Sequence, residues 1–301
     1  MELWIPITLA AAFLQNLRSA LQKHVKDRLT TAGASYTRFL YAVPFALLYL
    51  ASISQITDSP VPNINADFVV YCLVGGTAQI VGTALLVSLF SLRNFAVGTT
   101  YSKTEAIQTA VFGIVILGDS ISALAASAIL ISLIGVLTLS VGKSAVTSKS
   151  LVMAWTERPA LMGVGSGACF AISAVCYRAA SLSLGEANNF LIQAALTLAC
   201  VTTAQTLGMG IYLACREPGQ LAKVLRSWRV TMWIGLCGML ASACWFTAMT
   251  IQNAAYVRAL GQVELIFTFI ASMCVFQERS NKLEVAGIML VVIGLLLLVI
   301  S

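Results

Sequence analysis

Charge is what this sequence has least of. Of its 301 residues only 10% are Asp, Glu, Lys or Arg, while 59% are apolar; a soluble domain carries about 25% charged residues. The shortage excludes a soluble enzyme, a disordered regulator and a nucleic-acid reader. The net charge of +6 and the pI near 9.0 do not restore the last of these. Nucleic-acid binding needs a clustered basic face, and no run of Lys/Arg here exceeds two residues. Histidine is almost absent. The single one, His24, has Lys23, Val25 and Lys26 for neighbours, which gives it neither a metal site nor a triad to complete. The eight cysteines (Cys72, Cys169, Cys176, Cys200, Cys215, Cys237, Cys244 and Cys274) form no CxxC pair and no zinc spacing. They read as small apolar packing residues. The phosphate-binding pattern GxxxxGK[ST] is missing, which excludes a chain that hydrolyses ATP to pump. The sequence therefore predicts no enzyme, no cofactor and no metal.

What the sequence has instead is length of apolar run. A helix needs about 20 apolar residues to cross a hydrocarbon core of about 30 Å. Ten stretches qualify: 3–23, 33–54, 67–92, 95–117, 122–142, 159–182, 187–214, 230–251, 254–276 and 281–300. The runs are continuous rather than alternating, which excludes a β-barrel. The first has its basic residues after the apolar run, so it does not read as a cleavable signal. The predicted fold class is an all-α polytopic membrane protein with ten transmembrane helices.

Where the few charges lie sets the orientation. The loops after the first, third, fifth, seventh and ninth spans hold Lys23, Lys26, Arg28, Arg93, Lys143, Lys149, Arg158, Arg216, Lys223, Arg226, Arg229, Arg279 and Lys282. The other loops and both termini hold no basic residue. Cytoplasmic loops collect Lys and Arg, so this split places the odd loops in the cytoplasm. Both termini are then periplasmic or extracellular, with the chain multi-pass in the inner (plasma) membrane. The acids Asp58, Asp67, Asp119 and Glu186 fall on the outer side, as they can, since the rule counts only bases.

The chain also repeats itself. An offset of 159 aligns residues 94–142 with 253–301 without a gap, setting Asn94 on Asn253, Glu105 on Glu264, Thr109 on Thr268, Asp119 on Glu278 and Gly135 on Gly294. The same offset sets Gly76 on Gly235; in the first spans the match is weaker. Two five-span repeats follow, residues 1–145 and 155–301. An odd number of spans per repeat forces the second to insert upside down, which is the architecture of secondary transporters that hold substrate near the midplane.

Ten spans, two five-span repeats and the acids of the fourth and ninth spans resemble the drug/metabolite transporter superfamily, in particular its EamA-type members. The family pattern is roughly Glu-Pro, an apolar stretch, then Gly-Glu. Here the copies read Glu105-Ala106 then Gly118-Asp119, and Glu264-Leu265 then Gln277-Glu278. Both prolines are replaced, which leaves open whether these helices bend as the family's do. The resemblance implies two EamA-like inverted repeats and alternating access, with export as the direction. It also implies a central cavity lined by spans 1, 3, 4, 6, 8 and 9. It does not choose among the amino acids, sugars, nucleotide-sugars, cations and drugs that the superfamily moves. On those spans, Asn16, Gln79, Tyr101, Trp245 and Tyr256 are candidate substrate contacts.

Seven charged residues fall inside spans and at least four residues from either end: Arg18, Arg38, Lys103, Glu105, Arg178, Arg258 and Glu264. A charge at a helix centre costs about 2.5–3.5 kcal/mol on insertion scales, so each is expected to face a cavity or a partner. Glu105 and Glu264 fall at the midpoints of the fourth and ninth spans and are related by the repeat. Lys103 and Glu105 leave a helix about 200° apart, so Lys103 is expected to line the cavity or meet another helix. Arg258 lies in the outer half of the ninth span. Arg18 and Arg178 lie nearer span ends; with Lys103, Glu105, Arg258 and Glu264 they join the candidate substrate contacts, while Arg38 reads as structural. Five bases against two acids point to a substrate carrying an anionic group, such as an amino acid or organic acid. The expected partners are that small molecule, membrane lipid, and a coupled proton or counter-substrate. Alternatives are a proton-coupled multidrug or cation exporter, a sugar-phosphate or nucleotide-sugar exchanger, a channel and, from another class, a membrane-embedded lipid enzyme.

Residues 122–142 of the fifth span and 285–300 of the tenth carry no charge, and the two spans read as scaffold. Small residues in the fifth (Ala123, Ala125, Ala126, Ser127 and Ala128) suit close helix approach.

Overall fold

The computed structural model describes residues 2–25, 29–89, 100–143, 157–185, 189–274 and 281–301, and among these every regular element is helical. The helices are α1 (Trp4–Val25), α2 (Thr31–Leu40), α3 (Ala42–Ile56), α4 (Ala66–Leu89), α5 (Glu105–Phe112), α6 (Ala123–Lys143), α7 (Arg158–Ser183), α8 (Phe190–Arg216), α9 (Gln220–Arg226), α10 (Trp228–Ile251), α11 (Ala254–Leu260), α12 (Val263–Cys274) and α13 (Lys282–Ile300). Helices are what apolar runs must form in lipid, where no water can take an unpaired backbone N–H or C=O.

Seven helical stretches among the described residues are long and apolar enough to cross a membrane: Ala32–Ile56, α4, Ala123–Val141, α7, α8, α10 and α13. The protein is a multi-pass membrane protein. The three other expected spans take different forms. α1 is 22 residues long but carries Gln15, Asn16 and Arg18. The fourth and ninth are interrupted. Residues 100–102 are helical, Lys103 and Thr104 form a turn, and α5 starts at Glu105; α11 ends at Leu260, Gly261 and Gln262 form a turn, and α12 starts at Val263. The two glutamates are therefore not mid-helix, as expected from the sequence. Each stands in the first turn of a new helical segment.

The helices gather into two compact units, Met1–Thr77 with Cys176–Gln252, and Ala78–Val175 with Asn253–Ser301. Each unit draws on both sequence repeats, and the boundaries fall within α4 and within α7.

In the first unit α1 packs along α10, and α8 packs against α2, α3 and α10. The chain bends between α2 and α3 at Tyr41. Pro44, in the first turn of α3, has no N–H to offer the carbonyl of Leu40, which ends α2 there. Tyr41 lies directly against Gly235 of α10, where a Cβ would collide with it. A buried polar cluster joins three helices of this unit. The Tyr177 hydroxyl donates to the Gly75 carbonyl (3.2 Å). The Gln205 amide donates to the Gly76 carbonyl (3.2 Å) and the Tyr177 oxygen (3.3 Å). The Tyr177 ring also stacks on Phe246 at 4.6 Å.

In the second unit α6 and α13 cross in backbone contact. A Cβ on Gly135 would lie 2.6 Å from the Val291 nitrogen and 2.8 Å from the Gly287 carbonyl oxygen. One on Gly294 would lie 2.7 Å from the Ser132 nitrogen and 2.9 Å from the Ala128 carbonyl oxygen. Under the 159-residue offset these two contacts are the same contact seen from opposite sides. The expectation that the fifth and tenth spans act as packed scaffold with small residues at the crossing agrees with this geometry. α12 docks on the pair through Phe269, which joins Leu139 and Ile288 in a buried cluster with Leu265, Ile266 and Val292. Leu265 follows Glu264 directly, so the packing that anchors α12 also fixes where that carboxylate starts.

Candidate functional site

The site is built on the two helix breaks of the second unit. Ahead of Glu105 the backbone bonds shorten from the α pattern to i→i+3, with the Lys103 N–H donating to Thr100 O (3.1 Å) and that of Thr104 to Tyr101 O (3.1 Å). The Thr104 hydroxyl donates to the same Tyr101 carbonyl at 2.7 Å and accepts from the Gln108 amide at 2.7 Å. A threonine side chain that competes for backbone in this way weakens the helix where it sits. Gly167 of α7 lies against the exposed backbone of the turn; a Cβ there would be 3.0 Å from Ser102 O and 3.4 Å from the Glu105 nitrogen.

The second break uses other means. Gly261, a poor helix former, precedes Gln262, and the N–H groups of Gln262, Glu264 and Leu265 donate to the carbonyls of Ala259 (3.0 Å), Gly261 (3.1 Å) and Gln262 (2.9 Å). Beyond each break the helix resumes alike. The Thr109 hydroxyl donates to Glu105 O and the Thr268 hydroxyl to Glu264 O, both at 2.8 Å. These threonines are repeat equivalents. Each carboxylate also stands at the N-terminal end of its new segment, where the helix dipole favours negative charge.

The four charges of the two breaks pair crosswise. Lys103 Nζ lies 3.0 Å from Glu264 Oε1, and Arg258 Nε lies 3.2 Å from Glu105 Oε1. Each glutamate is thus met by a base from the opposite repeat. The side chains of Lys103 and Glu264 are 33% and 21% exposed, those of Arg258 and Glu105 15% and 22%. The two pairs belong to one electrostatic group, since Lys103 also interacts with Glu105. The acids obey the repeat but the bases do not. Lys103 stands two residues before its own glutamate and Arg258 six before its own; the equivalent of Lys103 is Gln262, and that of Arg258 is Thr99, which lies outside the described residues. Removing one partner of a poorly solvated pair leaves an uncompensated charge, so the four side chains act as a set.

The remaining sequence candidates fall elsewhere. Tyr101 supplies the turn before Lys103. Tyr256, on α11, accepts a hydrogen bond from the Ser122 N–H (3.3 Å) ahead of α6. Gln79, half-buried on α4, offers its backbone carbonyl to the Thr83 hydroxyl (2.8 Å). In the first unit the Trp245 indole donates to the Gln15 side chain at 3.1 Å, and Asn16 is half-buried on α1. Arg18 runs along α10, its Cδ 3.3 Å from where a Cβ on Gly238 would stand, with the Arg38 Cβ at 3.9 Å. Arg178 donates to the Met249 and Gln252 carbonyls at 2.8 and 2.6 Å. Those carbonyls end α10, where helices leave acceptors unfilled, so this guanidinium holds a helix terminus. Of the Tyr177–Gln205 cluster, Tyr177 stood among the polar and aromatic residues of the cavity-lining spans, whereas Gln205 was missed, although a glutamine in an otherwise apolar run was its signal. His24 has a helical backbone in α1, but its side chain, like Glu278, lies outside what is described. Among the described residues no group of His, Cys, Asp and Glu is arranged to hold a metal ion.

Residues 158–300 match the EamA-like transporter family. No curated protein matches the sequence. A solved structure named only "Crystal structure of protein" is similar over 98% of this chain and 95% of its own, at 12% identity and a TM-score of 0.68. At that identity the likeness concerns the fold alone.

Proposed function

We propose, from the premise that the second half of this chain belongs to the EamA-like transporter family of the drug/metabolite transporter superfamily, that the protein is a secondary carrier for a small polar metabolite bearing an anionic group. It works by alternating access with ten spans in two inverted five-span repeats. Both termini lie outside the cytoplasm, in the inner (plasma) membrane, and the carrier operates as an exporter. The repeat offset and the one-sided distribution of Lys and Arg support this arrangement.

The observation that carries the reading is the pair of repeat-equivalent helix breaks, each with a glutamate in its first turn and each glutamate paired to a base of the other repeat. Interrupted helices at matching places in two inverted repeats are where carriers of this architecture bind substrate. Lys103 and Arg258 are the groups that would meet the substrate's anionic part. A cation exporter fits less well, because both acids already have basic partners.

Counterflow in proteoliposomes tests the reading. Vesicles loaded with an unlabelled metabolite should accumulate the labelled form transiently and with saturation. Conduction without saturation would instead mark a channel.

A further inference from the structure

We infer that the corner where α8 passes through α9 into α10 is a binding surface for anionic phospholipid. Lys223, Arg226 and Arg229 take the phosphate, Arg216 stands at the edge, and Trp228 and Trp233 take the acyl chains. The inference goes beyond the carrier reading and does not depend on what is carried.

Place is the first observation. α8 and α10 are each long and apolar enough to cross a membrane, so residues 217–227, which join them, run at the boundary between hydrocarbon and water. Tyr212 at the end of α8 and Trp228 and Trp233 at the start of α10 are exposed. Tryptophan and tyrosine collect at that level of a membrane.

Charge is the second. Arg216, Lys223, Arg226 and Arg229 are all exposed. The one acid between Tyr212 and Trp233 is Glu217, and its carboxylate accepts from the Thr30 hydroxyl at 2.6 Å. Among the described residues none of the four bases is in an ion pair with an acid. Other helix ends are balanced differently: Arg158 follows Glu157, and Lys282 lies two residues before Glu284.

Arrangement is the third. Helical hydrogen bonds continue across the join of α9 and α10, with the Ser227 N–H donating to Lys223 O (3.1 Å) and the Thr231 N–H to Ser227 O (3.2 Å). Residues three apart are neighbours on a helix surface, so Lys223, Arg226 and Arg229 form one inclined row, about 9 Å long. Trp233 follows one turn later, and the Arg229 guanidinium lies over the Trp228 ring at 5.8 Å. A different face holds the corner to the protein. Val224 and Thr231 are fully buried there. The Val224 carbonyl accepts from the Tyr41 hydroxyl (3.1 Å), and Gln220 Oε1 lies 3.1 Å from where a Cβ on Gly33 would stand. A headgroup held on the outer row therefore braces α9 against α2 and the bend at Tyr41. A soluble phosphate would use the bases alone and leave Leu225, Trp228, Val230 and Trp233 in water; a phospholipid uses both sets.

The test follows the melting temperature of the full chain in mixed micelles as phosphatidylglycerol or zwitterionic phosphatidylcholine is added. Phosphatidylglycerol should stabilise the wild type by several degrees more. The mole fraction that gives half of this shift should rise about fivefold for each of Lys223→Gln, Arg226→Gln and Arg229→Gln, and the triple variant should not tell the two lipids apart. Lys282→Gln removes a base outside the corner and should behave as wild type; an effect as large as that of Arg226→Gln would mean that the lipid reads net charge only, which overturns the inference. Inorganic phosphate should give no shift, and one equal to the lipid's would make the corner a soluble-anion site instead. The wild type alone keeps the inference open to failure should a variant misfold. Its preference for phosphatidylglycerol should vanish in about 1 M salt, and a preference that persists counts against it. Phosphatidylglycerol with brominated acyl chains should quench tryptophan emission at lower mole fraction than the brominated phosphatidylcholine. That difference should disappear when Trp228→Phe and Trp233→Phe are combined; an unchanged difference contradicts the placement of the acyl chains. Every readout is binding or melting, so a protein that exchanges no metabolite would refute the carrier reading and leave this one standing.

Discussion

Two of the contacts that join the sequence repeats in the second unit are made in opposite ways. The α6–α13 crossing is backbone on backbone, through Gly135, Gly287 and Gly294. The crossing of the broken helices is made by the tips of Lys103, Arg258 and two glutamates. The first has no alternative arrangement, because its atoms have no reach. The second is made by charged tips on flexible stems. The repeat in the sequence thus meets itself once through backbone and once through side chains, and only the side-chain contact departs from the repeat, in the placement of its bases.

The sharpest way to break this contrast is at the fixed joint. Gly135→Leu puts side-chain atoms where the Val291 nitrogen and Gly287 oxygen already are, and should destabilise the protein by about 3 kcal/mol or more. The melting temperature of purified protein checks this. Next comes Arg258→Gln, which leaves Glu105 without its ion-pair partner. With both groups mostly buried, a loss of about 2 kcal/mol is expected, together with loss of counterflow that Lys at the same position restores in part. A smaller effect belongs to Thr109→Val. It removes one hydroxyl bond to the Glu105 carbonyl, worth about 1 kcal/mol in melting experiments, and Thr268→Val should match it if the two breaks are equivalent beyond their turns. Least of all, Leu296→Ala on the exposed side of α13 should change stability by no more than about 0.5 kcal/mol, which shows that the crossing face and not the whole helix is the joint.

How much of this was legible in the sequence depends on distance along the chain. Apolar runs and the offset that matches Glu105 with Glu264 and Gly135 with Gly294 are local or periodic, and they could be read. The helix breaks were not, because the residues that usually announce them are missing. No proline marks either; Thr104 and Gly261 are the only cues, and both are common inside apolar helices. The ion pairs were further out of reach. Lys103 and Glu264 are 161 positions apart, and a helical wheel of either span shows only that Lys103 and Glu105 face different ways. That geometry correctly ruled out a pair within the helix but could not name the partner. The apparent excess of bases also depended on treating each alone. With Lys103 and Arg258 matched and Arg178 holding the end of α10, little of that excess is left to argue for a purely anionic ligand. Finally, the compact units cut across the repeats, with boundaries inside α4 and α7, and an apolar run carries no mark of where its packing partners change.

The α6–α13 crossing has one more consequence. Gly135 meets Val291 and Gly287 as Gly294 meets Ser132 and Ala128, so either helix presents to the other the surface it receives. Such self-complementary contact is what an isologous dimer interface requires. Two copies of a helix with this surface can meet through it with no further change of sequence. The glycines that hold this protein together are the kind that could first have held two proteins together.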